Sequence, residues 1–139
     1  MQVSIERLCR LIAIQAALIV AAIHLLWALP RLSVSLLMTP VADSRPFLFV
    51  PAALLLVAVA VSLFRGYLYR RLSALGGGTL VALSVGYWLW ESGPLVETLA
   101  GDPLVLVSKV AELIGMAAFA VLYYLHHPDR EGSSIDTAG

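Results

Sequence analysis

The sequence predicts an all-α integral membrane protein, a four-transmembrane-helix antiparallel bundle with both termini in the cytoplasm. Three features lead there: 60% of the 139 residues are apolar and only 13% charged, the mean hydropathy is +0.91, and the apolar residues gather in four separate runs. A charged share about half that of soluble domains is too small to solvate a globular surface. The composition also excludes a disordered chain, which lacks the apolar surface to collapse, and a disulfide scaffold, since Cys9 is the only cysteine. Nine basic and nine acidic residues cancel, so no net positive field points to nucleic acid. The expected partner is the lipid bilayer.

The runs cover residues 11–29, 47–64, 72–90 and 104–125, with lengths of 19, 18, 19 and 22. At the helical rise each extends roughly 27–33 Å, which matches a hydrocarbon core of about 30 Å. The first three hold no charged residue, and helices are the open-chain elements that satisfy every backbone group inside lipid. Arg7 and Arg10 ahead of the first run give it the look of a signal peptide. Its apolar core is longer than the roughly 7–15 residues of such signals, and Leu29-Pro30-Arg31 offers no small-residue cleavage pattern. The run is therefore expected to remain as the first helix of a single transmembrane domain, residues 1–127.

Orientation follows from the basic residues of the short loops. Arg7, Arg10, Arg65, Arg70, Arg71 and Arg130 fall on one face, against Arg31 and Arg45 on the other. Six against two places both termini in the cytoplasm and the chain in the cell membrane. Residues 65–71 form a tight basic connection, so the second and third spans read as an antiparallel hairpin. The first external loop, 30–46, is apolar enough at Leu32, Val34, Leu36, Leu37 and Met38 to lie along the membrane surface. In the third loop Gly93-Pro94 and Asp102-Pro103 bracket a single helical turn at residues 95–99. Residues 128–139, polar and rich in Gly and Ser, read as a disordered cytoplasmic tail.

Close packing of helices in lipid relies on small residues. Three stripes at four-residue spacing are expected contacts: Ala13, Ala17 and Ala21 in the first span, Ala74, Gly78, Ala82 and Gly86 in the third, and Ala111, Gly115 and Ala118 in the fourth. The Gly76-Gly77-Gly78 run lacks the flanking Lys and Ser/Thr of a phosphate loop and receives no nucleotide role. Trp27, Tyr87, Trp88 and Trp90 read as an outer aromatic belt, with Tyr67, Tyr69, Tyr123 and Tyr124 at the inner edge.

The residues most informative about function are those that are costly where they stand. Lys109 and Glu112 lie inside the fourth run, where a charge costs on the order of 2.5–3.5 kcal/mol on insertion scales. Three residues apart on a helix, they can pair. His24 in the first span lies at about the same depth, and Glu91 stands one turn beyond Tyr87 at the end of the third. His24, Lys109, Glu112, Tyr87 and Glu91 are thus the candidate proton or ligand site. A structural reading pairs Lys109 with Glu112 and bonds His24 to a neighbouring helix. A functional reading makes Glu112 a proton carrier in an apolar setting and His24 its relay.

Sharper chemistries lack the residues they need. A haem held by two histidines requires imidazoles at one depth, whereas His24 is near the outer face and His126 and His127 near the inner one. A thiol oxidoreductase needs paired cysteines. Neither His24, Glu112 and Glu91 nor His126, His127 and Asp129 has a strong metal-ligand spacing, and no catalytic residues, metal or cofactor are assigned. In span count and size the chain resembles the small four-helix multidrug transporters, a likeness of architecture. Those proteins carry an essential carboxylate in the first helix, where this chain has Gln15 and His24. The leading expectation is a non-enzymatic structural or accessory membrane subunit, as a homo-oligomer or within a larger membrane complex. The alternative is a small proton-linked transporter or ligand-binding protein using the outer polar cluster. A third reading is a membrane enzyme or redox subunit that uses a bound lipid or quinone.

Overall fold

A computed structural model describes residues 4–32, 44–67, 70–91 and 93–126. Among them, helix α1 spans Ile5–Ala28 and runs into a 3-10 turn at Leu29–Arg31. Helices α2 (Arg45–Phe64), α3 (Arg70–Trp90), the short α4 (Leu95–Gly101) and α5 (Pro103–Leu125) follow. Four of these helices are long and apolar enough to cross a membrane, the length and composition of a membrane protein. The expected surface segment of the first loop falls almost wholly outside the described residues, as do Tyr69, His127, Asp129, Arg130 and the tail.

The helix ends follow local chemistry. Ser4 caps α1 by accepting from the Arg7 amide at 3.2 Å, with Glu6 in the first turn. The helix therefore begins six residues before the apolar run does, because capping, not hydrophobicity, sets its start. Pro46 and Pro103 occupy first-turn positions of α2 and α5, where the missing N–H is no loss. Asp102 caps α5, its Oδ1 accepting from the Leu104 amide at 2.9 Å. Gly66, with φ of +90°, turns the chain after α2 in a conformation that suits glycine. The single turn expected at residues 95–99 is present and extends to Gly101.

Helix α1 packs between α2 and α5, and α5 packs between α1 and α3. The buried centre holds Ala13, Ala17, Val20 and Ala21 of α1, Leu56 and Leu63 of α2, Leu80 of α3, and Phe119 and Leu122 of α5. The small residues of α1 and α5 are buried as expected, and Gly115 marks the tightest approach. A Cβ there would lie 2.7 Å from Leu80 Cδ1 and 3.1 Å from Ala16 Cβ. At Gly76 a Cβ would stand 2.6 Å from Phe119 Cζ, so the Phe119 ring occupies the room left by a missing side chain.

The stripe expected on the third span behaves differently. Ala74, Gly78 and Ala82 are exposed, and with Gly86 they line an open groove of about 520 Å³ facing Leu48, Pro51, Ala52 and Leu55 of α2. The contact face of α3 is instead the side bearing Gly76, Leu80 and Leu83. Bulk decides this: Phe119 and Leu80 dock α3 onto α5, and that docking turns the regular stripe outward.

The Leu29–Arg31 turn, the start of α2, the end of α3, α4 and the start of α5 meet around one cavity, hereafter at the upper end of the molecule. Of the aromatic residues expected at that end, Trp88 is exposed, Trp90 is exposed and also borders the cavity, and Trp27 and Tyr87 line it. At the opposite end Arg70 lies over the Tyr123 ring at 4.2 Å.

Gly115→Leu is expected to lower stability by about 1–3 kcal/mol, the usual range for overpacking. Gly78→Leu, whose added Cβ meets nothing within 4 Å, should leave stability unchanged. Steric-trap unfolding in bicelles measures both, and equal losses would contradict this packing.

Candidate functional site

The candidate residues divide into a buried ionic centre and a cavity above it. Glu112 is 0% exposed. A carboxylate so placed is stable only if charge and hydrogen bonds replace its water. Lys109 Nζ donates to Oε1 at 3.1 Å and to Oε2 at 2.9 Å. Ser108, one helical turn before Glu112, donates to Oε1 at 3.4 Å. Ser84 of α3 donates to Oε2 at 2.5 Å. The first two partners follow from i,i+3 and i,i+4 geometry on α5. Ser84 comes from another helix and ties α3 to α5.

Lys109 spans the two parts of the site. Its side chain is 16% exposed, and its Nζ sits 4.3 Å from the centre of the Tyr87 ring. Such cation–π contact contributes about 0.5–2 kcal/mol and holds Tyr87 against α5. The Tyr87 hydroxyl is buried and has no hydrogen-bond partner among the described residues, although a buried phenol ordinarily finds one.

His24 is 8% exposed. Its Nδ1 lies 2.8 Å from the Val20 carbonyl. A carbonyl only accepts, so the Nδ1 proton donates to it and Nε2 of the neutral ring is left as an acceptor. Among the described residues, the neighbouring helix supplies a ring and no hydrogen bond. Phe49 of α2 meets the imidazole edge-on at 4.8 Å, which corrects the expected interhelical bond. Trp27 meets the same Phe49 at 5.3 Å, and Arg31 and Arg45 lie over the Trp27 ring at 4.2 and 5.5 Å.

These groups surround a cavity of about 350 Å³, within the usual size range of small-molecule sites. His24, Tyr87, Ser108 and Lys109 contribute its polar wall, Trp27, Phe49 and Trp90 its aromatic wall, and Arg31, Arg45, Glu91 and Asp102 further charges. Of the five candidate residues, His24, Tyr87, Lys109 and Glu91 therefore share one cavity. Glu112 is outside its lining and bonded to Lys109. The second expected cluster keeps only His126 within the described residues, where its Nδ1 donates to the Leu122 carbonyl at 2.7 Å. Among the described residues, no three His, Cys, Asp or Glu side chains are grouped to hold a metal ion.

Ser84, Ser108, Phe49, Arg31 and Arg45 join the site without a signal of their own among the candidate residues. The Ser108 contact could be found from its i,i+4 spacing to Glu112. The others come from separate helices, and no spacing reveals them. Comparison with family models, curated proteins and solved structures finds no match to this chain.

Replacing Lys109 by Met strands the buried carboxylate and is expected to cost about 3–5 kcal/mol of stability. The double substitution Lys109→Met with Glu112→Leu should cost less, because no uncompensated charge remains. Unfolding titrations of both variants test the pairing, and a double variant less stable than the single one would contradict it.

Proposed function

We propose that the chain is a four-span cell-membrane protein, an antiparallel bundle with cytoplasmic termini, that binds a small lipophilic ligand in the outer half of the bilayer. The observation that carries this reading is the shared cavity: His24 of α1, Tyr87 of α3 and Ser108 and Lys109 of α5 all line it. The six-to-two distribution of arginines supports the orientation. Arg31 and Arg45, the two on the less basic face, both border the cavity, which supports an outer location for it.

Binding is better supported than proton-linked transport. A proton carrier must exchange with solvent or substrate, and Glu112 is fully enclosed with both oxygens bonded. The reading therefore assigns Glu112 to holding Lys109 and assigns the cavity wall to the ligand. The second reading, an accessory subunit in an oligomer or larger complex, is favoured by the uncovered face of α3. Its small residues Ala74, Gly78 and Ala82 point outward, as they do where another helix approaches.

Filling the cavity separates the two readings. Protein purified from membranes and analysed by native mass spectrometry is expected to carry a lipophilic small molecule, and Val105→Phe, at the cavity wall, should lose it. Identical bound species in the two proteins would contradict the cavity as a ligand site.

A further inference from the structure

We infer that the cavity receives a quinone-type ring, a lipophilic cyclic dione or its reduced diol. This rests on the ligand-cavity reading above and specifies the class of ligand.

Charge comes first. Arg31, Arg45 and Lys109 line the cavity together with Glu91 and Asp102, and Glu112 beneath bonds to Lys109. Among the described residues, three positive and three negative groups cancel. A charged headgroup would gain no net field and would still lose its hydration. A neutral ligand avoids that loss.

Shape and polarity narrow the choice. Trp27, Phe49, Tyr87 and Trp90 present rings to the cavity, and aromatic faces favour a flat partner. Two residues of the polar wall carry neutral groups of opposite kind. The Tyr87 hydroxyl, covered by neighbouring atoms, is a donor without a partner among the described residues, and His24 Nε2 is an acceptor because Nδ1 is turned to Val20. A ring carbonyl accepts from Tyr87 when the phenol turns toward it. A ring hydroxyl donates to His24. The oxidised and reduced members of one couple thus each find a complementary group, and binding involves no bond rearrangement or electron transfer. Leu26 and Leu104 line the cavity and are also 67% and 55% exposed, so an apolar tail can leave sideways between α1 and α5 into lipid.

The test uses decylubiquinone and decylubiquinol, titrated under nitrogen into the full chain in detergent micelles. Tryptophan quenching reports occupancy, with Val105→Phe correcting for partition into the micelle. Both probes should bind saturably to the unaltered chain and at least about tenfold more weakly to Val105→Phe. Tyr87→Phe should weaken the oxidised probe about tenfold, the upper end for one net hydrogen bond, and the reduced probe less. His24→Phe should reverse that preference. Tyr87→Phe removes a hydroxyl that has no hydrogen-bond partner among the described residues, so this variant is expected to fold. Equal losses for both probes in both variants would overturn the inference. So would the absence of saturable binding. If native mass spectrometry then still finds a lipophile that Val105→Phe loses, the quinone class fails and the ligand cavity stands. If it finds none, both fail.

Discussion

A carboxylate removed completely from solvent is the constraint on which the upper half of this protein depends. Glu112 needs partners that replace its lost water, and those partners come from two helices: Lys109 and Ser108 on α5 and Ser84 on α3. Meeting its needs fixes the rotation of α3 about α5 at the level of Ser84. It also draws the Lys109 ammonium down toward Glu112 and across the face of Tyr87. The ring of Tyr87 and the position of the cavity wall follow from that placement. An ion pair of this kind adds little net stability over well-packed apolar groups. Its effect is to select one arrangement, since any rotation that parted Ser84 or Lys109 from Glu112 would leave buried charge uncompensated.

Packing further down makes the cavity above it. Near their middles, α1, α3 and α5 approach closely, because Gly115 leaves no side chain between Leu80 and Ala16. Toward the upper end the residues become large or polar: His24 and Trp27 on α1, Tyr87 and Trp90 on α3, and Val105 and Lys109 on α5. Helices so furnished cannot meet as closely as alanine and glycine allow. The resulting space is bordered by aromatic rings and by the hydrogen-bonding groups that the Glu112 network and the Val20 carbonyl leave available. A site of mixed character thus arises from a gradient of side-chain size along three helices.

The sequence makes some of this legible and hides the rest for physical reasons. Four spans can be read because hydrophobic length is a one-dimensional property of the chain, and the Lys109–Glu112 pair because i,i+3 geometry belongs to one helix. The start of α1 lies ahead of the apolar run because Ser4, a polar cap, extends the helix beyond it. The stripe at Ala74, Gly78, Ala82 and Gly86 is as regular as the one on α5, yet it faces a groove. Periodicity shows that a face is small, not which neighbour fills it, and here Phe119 chose the other side of α3. His24, Tyr87 and Lys109 could be matched in depth, and the structure brings them to one cavity. The contributions of Ser84 and Phe49 depend on helix rotation and could not be foreseen from spacing.

Lys109 is the only lysine in the chain, which gives the central interaction its own spectroscopic label. Protein carrying lysine labelled with nitrogen-15 at Nζ and glutamate labelled with carbon-13 at Cδ, reconstituted in bilayers, allows the Lys109–Glu112 separation to be measured by solid-state dipolar recoupling. The account predicts strong dephasing of the single lysine signal, at the separation expected of a direct ion pair, and loss of that dephasing in Glu112→Gln. A lysine signal that does not dephase in the unaltered protein would contradict the account, because the group that sets the helix rotation and the cavity wall would then be absent.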